Sequence, residues 1–226
     1  MCLIMDPKTG DILAMAITPG YDPNDPRVPL DENEAAYLDT LTDEEKLEYW
    51  NQMWRNPIVS DVYEPGSTSK LLTTAMALEE GVTSLDDRFT CTHSYNVSGT
   101  ILNCWKSTPH GNQNLVEAVG NSCNPVFIQL AQRIGIQKFY DYLELFGMTE
   151  RTGIDYPGEA YPIIQNINTA GPVGLATMSY GQGIAVNMVQ QLTAICSLGN
   201  GGKLMQPRLV KALTDSDGNI VQEFDT

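Results

Sequence analysis

The sequence predicts an α/β (α+β) fold in which an antiparallel sheet is flanked by helices and joined to a mostly helical lobe. Short apolar runs separated by turn residues lie at both ends of the chain, within 3–16 and 208–224. Most segments between them show the spacing and end signals of helices. A length of 226 residues is enough for one large domain or two lobes with a core.

The terminal strands are predicted as two hairpins. Pro, Gly and Asp between the first two apolar runs, at 6–11, are typical of a turn, and Asp217-Gly218 marks a second turn near the end of the chain. Two separate small sheets would satisfy both hairpins. A single sheet built from both ends would use them better, and we expect that arrangement.

The middle of the chain is predicted to be mostly helical. Thr42–Glu45 resembles a capping box and opens a helix that continues to about Trp54. The proline-rich stretch 18–30 is predicted to be irregular, and we place the helical lobe at about 82–170, with a turn-rich first part up to 114. Further helices are predicted over 67–80, 114–120, 125–134, 136–146, 172–180 and 187–198.

Composition excludes several classes of function. The chain is 42% hydrophobic and 18% charged, as in globular proteins, and its net charge of −15 argues against nucleic-acid binding and against docking on an anionic membrane. The sequence contains no run of about 18 apolar residues, so no transmembrane helix is predicted. The first residues match neither a signal peptide nor a basic anchor, so any export signal is expected outside these residues.

Five cysteines are present, at positions 2, 91, 104, 123 and 196. No Cys-x-x-Cys occurs, and only His93 and His110 could add imidazole ligands, so we expect no structural zinc site. The odd number leaves at least one thiol free. Reduced thiols in the core are the interpretation that composition favours.

Ser67 and Lys70 form the first candidate for chemistry. Pro65-Gly66 interrupts the chain, and the helix predicted behind it places Lys70 three residues after Ser67, on the same face. A helix N-terminus offers free N–H groups to an anionic intermediate, and a serine needs a nearby base to act as a nucleophile. An N-cap serine followed by a solvated lysine gives the same tetrapeptide.

A second polar pair of the form Ser-x-Asn occurs twice. Ser94-Tyr95-Asn96 lies in a turn-rich stretch, where both residue types are common. Ser122-Cys123-Asn124 lies in a tight connection between two predicted helices, where rigid elements would hold it. A serine there would relay a proton and an asparagine would bind an amide, although helix capping explains both equally well locally.

Ordered motifs give the chain a resemblance to a known family. After Glu64–Lys70 follow Cys104-Trp105, His110-Gly111, Ser122-Cys123-Asn124, Thr152–Asp155, Gly158-Glu159 and Gly181-Gln182-Gly183. In this order they resemble class B penicillin-binding proteins of the division and sporulation type. Asp6–Met15 is similar to the start of the transpeptidase domain in that family, and Asn200-Gly201-Gly202 before Pro207 also matches. The stretch 31–54 is less typical.

The resemblance implies the penicillin-binding, serine β-lactamase-like fold and a peptidoglycan D,D-transpeptidase that β-lactams inhibit covalently. It makes Ser67 the acylated nucleophile, Lys70 its base and Ser122 a proton relay. Asn124 and Trp105 would contact the substrate. No cofactor and no metal are implied.

The implied partners are peptidoglycan stem peptides, β-lactams and, for a longer parent protein, a membrane glycosyltransferase. That parent would be anchored in the cell membrane with this domain on the extracytoplasmic side. The 226 residues themselves are expected to be soluble, and exposed sheet edges would favour a homodimer.

One departure limits this interpretation. The family carries a third motif, Lys-Thr/Ser-Gly, on a strand after Ser-x-Asn, whereas the only Lys-Thr-Gly here is Lys8-Thr9-Gly10, in the first turn. We therefore expect residues 1–226 to be a partial domain that is incomplete at the C-terminus, and its acylation to be impaired.

Cys104 and Cys123 form a candidate redox pair, because Cys123 lies inside the second motif and an exported domain permits disulfides. Free thiols are the alternative.

The sequence is also compatible with two other functions. A D,D-carboxypeptidase or β-lactamase on the same fold would need a positioned deacylating water. A non-catalytic penicillin-binding sensor or scaffold would need an attached signalling segment.

Overall fold

The computed structural model describes residues 1–224 of the chain. Nine α-helices occur within these residues, together with a 3₁₀ turn at Gly66–Ser69. The helices are α1 (Glu32–Leu38), α2 (Asp43–Trp54), α3 (Pro57–Ser60), α4 (Lys70–Glu79), α5 (Leu115–Gly120), α6 (Asn124–Ile134), α7 (Ile136–Leu145), α8 (Ile167–Met178) and α9 (Met188–Gly199).

The strands pair antiparallel, and residues 1–224 contain five two-stranded sheets. The pairs are β1 (Cys2–Met5) with β2 (Ile12–Ala16), β3 (Arg88–Cys91) with β6 (Gly111–Asn114), β4 (Ser94–Val97) with β5 (Thr100–Asn103), β7 (Ile163–Ile164) with β8 (Ile184–Ala185), and β9 (Ala212–Thr214) with β10 (Ile220–Glu223).

Helix α6 lies at the centre of the core. Val126, Phe127 and Leu130 are fully buried on it, and it packs against α4, α7 and α8. A helix that is apolar over most of its surface has to be surrounded in this way. Since α4 follows the segment of Ser67 and α6 follows Ser122, their packing brings the two polar motifs of the sequence to one place.

The terminal hairpins do not form one sheet, so that expectation is wrong for the described residues. They meet at a single parallel bridge between Asp11 and Arg208, where Ile12 N–H donates to the Arg208 carbonyl at 2.8 Å. Beyond it, the Asp155 carboxylate accepts from the N–H groups of Leu209 and Val210 at 2.6 and 2.8 Å. These donors are therefore not free to extend the ladder.

The helical lobe begins later than expected. Its predicted range of about 82–170 starts with the four strands β3 to β6, and helical structure begins at Leu115. In β3 only Phe89 and Cys91 are buried, alternating with exposed Arg88 and Thr90. Two buried residues are too few for an alternating pattern to be detected among turn residues.

Most predicted helices are confirmed to within a few residues. Thr42 and Glu45 form the expected capping box at the start of α2, whereas α1 before it was not predicted. Trp50 and Trp54 on α2 stack on each other and donate to carbonyls of the proline-rich stretch 18–30. Over residues 1–224, no helix is both long and apolar enough to cross a bilayer.

The position of α6 can be tested with two leucines. Leu130 on α6 is fully buried, whereas Leu145 on α7 is 69% exposed. Leu130→Ala should lower the free energy of unfolding by roughly 2–5 kcal/mol, because it leaves a cavity in the core. Leu145→Ala should change it by less than about 0.5 kcal/mol. Urea unfolding measures both, and equal losses would contradict the central position of α6.

Candidate active site

Ser67 lies on a 3₁₀ turn that leads directly into α4. The turn covers Gly66–Ser69, and Lys70 is the first residue of the α-helix. Gly66 has a φ of 57° and supplies the bend that precedes the serine. The N-terminal position predicted for Ser67 is thus confirmed, although the first turn is tighter than an α-helix.

Lys70 reaches from α4 into the interior and is only 3% exposed. Its Nζ lies 3.2 Å from Ser67 Oγ, 2.8 Å from Ser122 Oγ, 2.8 Å from the Ser122 carbonyl and 2.7 Å from Asn124 Oδ1. An ammonium has three protons for these four oxygens. The geometry thus brings together the two motifs that the sequence places more than fifty residues apart.

The hydroxyl groups form a second connection. Ser122 Oγ lies 2.8 Å from Ser67 Oγ, so a proton can pass from Ser67 to Lys70 directly or through Ser122. Burial lowers the pKa of Lys70 from 10.5 to about 8, and the sulfur atoms of Cys104 and Cys123 oppose part of this shift. An amine with this pKa is neutral in a useful fraction of molecules near neutral pH, as a general base must be.

Ser122 occupies the left-handed region of backbone conformation, with a φ of 51°. This conformation costs a non-glycine residue about 1–2 kcal/mol. Its N–H donates to Val119 O at 3.0 Å, and the N–H of Cys123 donates to Ala118 O at 3.1 Å. These bonds close the end of α5 and, together with the contact to Lys70, hold the strained residue in place.

Asn124 is the last residue of the second motif, and Trp105 contacts Asn121, the residue that precedes it. Asn124 Nδ2 donates to the Asn103 carbonyl at 3.3 Å, so its amide is already oriented by protein contacts. Trp105 is 66% exposed, and its indole N–H donates to Asn121 O at 2.9 Å. The exposed ring is available to a ligand, and its role in binding stays a prediction.

The other Ser-x-Asn has a local structural role. Ser94 and Asn96 lie on β4, and Asn96 Oδ1 accepts from Gly99 N–H at 2.9 Å in the turn to β5. Tyr95 between them donates to Gln132. The hydrogen-bond partners of Lys70 in the described chain include neither Ser94 nor Asn96.

The segment Gly181–Gly183 supports the turn of Ser67, a contact that the sequence did not predict. Gly66 N–H donates to the Gly181 carbonyl at 3.0 Å, and Gly183 N–H donates to Glu64 Oε1 at 2.8 Å. Gly181 has a φ of 81°, and a Cβ there would lie 2.1 Å from Gly66 O. The motif was visible in the sequence, but nothing in its spacing indicated what it contacts.

Cys104 and Cys123 lie in one cluster with Cys91 and His110. The three Sγ atoms and one ring nitrogen of His110 are all within 4.8 Å of one another. All five cysteines are free thiols in the structure, so pairing of Cys104 with Cys123 stays a prediction. Spacing along the chain argued against zinc, whereas the fold gathers four possible ligands from separate segments.

Comparison with known proteins shows that the chain belongs to the penicillin-binding protein transpeptidase domain family, whose model matches residues 1–225. Stage V sporulation protein D from Bacillus subtilis is 37% identical over 216 residues, which cover 95% of this chain and 30% of that protein. The probable peptidoglycan D,D-transpeptidase PenA from Neisseria gonorrhoeae is 30% identical over 99% of this chain and 35% of that protein.

Solved structures agree with this assignment. Penicillin-binding protein 3 from Mycobacterium tuberculosis, in complex with aztreonam, matches with a TM-score of 0.80 and 28% identity over 99% of this chain and 46% of that chain. The predicted family and its mixed α/β fold are confirmed. The chain spans about a third of the length of the curated relatives that it matches.

Gly181→Ala tests the support behind Ser67. The added Cβ would collide with Gly66 O, and alanine would be strained at this φ, so the free energy of unfolding should fall by roughly 2–5 kcal/mol. Gly199→Ala is the matched control, because it lies at the end of α9, where an added Cβ would meet no atom within 4 Å. Thermal or urea unfolding compares them, and a neutral Gly181→Ala would contradict the close contact.

Proposed function

We propose that this chain carries the acylation site of a peptidoglycan D,D-transpeptidase that forms a serine acyl-enzyme. The observation that carries the proposal is the connected group of Ser67, Lys70 and Ser122, with every link between 2.8 and 3.2 Å. The name of one relative, a probable peptidoglycan D,D-transpeptidase, supports the same reaction class.

In the first step, neutral Lys70 accepts the proton of Ser67 Oγ, directly or through Ser122 Oγ. Ser67 Oγ then forms a bond to the carbonyl carbon of the penultimate D-Ala of a stem peptide. The bond from that carbon to the terminal D-Ala nitrogen breaks, and D-Ala leaves with the proton that Lys70 had accepted.

In the second step, an amine of a neighbouring stem peptide attacks the acyl-enzyme. The new amide bond cross-links the two peptides, the ester bond to Ser67 breaks, and Ser67 Oγ takes up the proton that the attacking amine loses. A β-lactam follows the first step only, because its leaving nitrogen stays attached within the opened ring.

The negative charge on the attacked carbonyl needs preorganised donors. The backbone N–H of Ser67 lies in the first turn of the helical segment, and in this proposal it supplies one of them. The second would come from a Lys-Thr/Ser-Gly strand, and no such triplet occurs in residues 124–226. Lys8-Thr9-Gly10 forms the turn from β1 to β2. Acylation of this polypeptide should therefore be slow.

A hydrolase on the same fold is the second candidate. It would need a carboxylate or similar base to activate water against the acyl-enzyme. Within residues 1–224, the hydrogen-bond partners of Ser67, Lys70 and Ser122 include no carboxylate, and Glu64 is engaged by Gly183. We therefore favour transfer to an amine. The partner glycosyltransferase and the membrane anchor belong to the proposal for a longer protein, whereas the homodimer is proposed for these 226 residues.

Acylation of Ser67 can be followed by intact mass with benzylpenicillin over several hours. We expect one slow, Ser67-dependent addition of the mass of the opened β-lactam, and none in Ser67→Ala. An acyl-enzyme that persists after removal of free penicillin favours the transpeptidase, whereas rapid loss favours a hydrolase. Equal labelling of Ser67→Ala would refute the nucleophile, and complete labelling within seconds would refute the impaired site.

Ser122→Ala tests the proton relay, with Ser94→Ala as the matched control from the other Ser-x-Asn. Loss of a positioned proton-transfer group should slow acylation by roughly 10²–10⁴-fold. Ser94 makes no contact with Lys70 in the described residues, so its removal should leave the rate unchanged. Similar rates for both variants would contradict a role of Ser122.

The pH dependence of acylation should reflect Lys70. Because its pKa is lowered to about 8 and only the neutral amine accepts a proton, the rate constant should rise nearly tenfold per pH unit below 8 and level off above it. Rates of labelling with fluorescent penicillin between about pH 6 and 9.5 measure this. Lys70→Arg should be slow and flat over this range, and a flat profile for the unmodified protein would contradict the assignment.

A further inference from the structure

The cluster of Cys91, Cys104, His110 and Cys123, here called the thiol cluster, is assembled from four separate places. Cys91 ends β3, Cys104 directly follows β5, His110 directly precedes β6, and Cys123 precedes α6. The three cysteines are buried and His110 is half-buried. The sequence gives no spacing signal, since nearly twenty residues or more separate Cys123 from each of the other two cysteines.

The distances within the thiol cluster fit one tetrahedral metal ion. The ring nitrogen Nδ1 of His110 lies 3.5 Å from Cys104 Sγ and 3.7 Å from Cys91 Sγ. Zinc bonds of about 2.3 Å to sulfur and 2.0–2.1 Å to nitrogen place tetrahedral ligand atoms about 3.5–3.8 Å apart. The remaining ligand atoms, all within 4.8 Å, need only small side-chain movements to reach these values.

The donor set identifies the kind of ion. Three thiolates and one imidazole form the Cys₃His set typical of closed structural zinc sites, whereas magnesium and calcium require oxygen ligands. The β3–β6 ladder fixes the relative position of two ligands, because Cys91 pairs with Gly111, the residue after His110.

The thiol cluster lies where two segments of the candidate active site meet. Asn124 donates to the Asn103 carbonyl, one residue before Cys104, and Trp105, one residue after it, donates to Asn121 O at 2.9 Å. A metal bound by Cys104 and Cys123 would join these segments by covalent-strength bonds. Cys123 also lies between Ser122 and Asn124, which both contact Lys70.

We propose that the thiol cluster binds one Zn²⁺ ion and that this ion holds the loop Ser122–Asn124 in the conformation that contacts Lys70. Zinc binding by the thiol cluster does not depend on the proposed function. The proposed effect of the zinc ion on acylation rests on the proposed function. Three thiols release their protons as the ion binds, and the Cys104–Cys123 disulfide and the metal site exclude each other because they use the same sulfur atoms.

The first test measures metal in the reduced protein. Elemental analysis after dialysis should give about one zinc per chain, and Co²⁺ in its place should give the thiolate charge-transfer and visible bands of a tetrahedral site. Cys91→Ala should weaken zinc binding roughly a hundredfold or more, since it removes one of the four ligands. Cys196→Ala, a cysteine on α9 outside the cluster, should bind zinc normally.

If Cys91→Ala fails to fold, the zinc site can be tested by measuring thiol reactivity in the unmodified protein. With zinc bound, a maleimide should modify exposed Cys2, while Cys91, Cys104 and Cys123 should be protected. A strong chelator should raise the modification rate of all three cluster cysteines at least tenfold. Folded, reduced protein without bound zinc would overturn the proposal, and so would a metal-free chain with a Cys104–Cys123 disulfide.

The second test addresses the loop. Removing zinc from the unmodified protein should slow acylation of Ser67 at least tenfold, and added zinc should restore it. Stoichiometric zinc with an unchanged acylation rate would overturn the positioning role alone. If Ser67 is never acylated, the proposed function fails, while zinc content and thiol protection still decide whether the metal site exists.

Discussion

Lys70 carries its amino group into the interior between α4 and the connection from α5 to α6, where four oxygen atoms surround it. A buried ammonium without such partners would cost several kcal/mol. The same burial lowers its pKa towards the range in which it can act as a base. Stability and chemistry at this position thus depend on one arrangement, and the packing of α4 against α6 maintains it.

The sequence predicted the parts of the fold that depend on local signals. The capping box at Thr42, Pro125 at the start of α6 and Gly135 at its end located helices within a few residues, because caps act over one turn. The strands β3 to β6 and the separation of the two terminal hairpins were not predicted. They depend on pairing partners and on Asp155, whose contacts are distant in the chain.

The candidate site also has a part that the sequence predicted and a part that it did not. Ser67, Lys70, Ser122 and Asn124 could be found because they form short motifs in a known order, and the structure brings all four together. The support of Ser67 by Gly181 and the convergence of Cys91 and His110 with Cys104 and Cys123 have no local pattern. Only the three-dimensional packing creates them, so composition and spacing gave no basis for predicting them.

The backbone conformation of Ser122 sets two selective pressures against each other at one residue. Glycine would adopt the φ of 51° without strain, but it would remove the hydroxyl that lies between Ser67 and Lys70 and, with it, one of the four oxygens around the buried amino group. Backbone strain therefore favours glycine at position 122, whereas the contacts of Lys70 and the proposed proton transfer both favour serine.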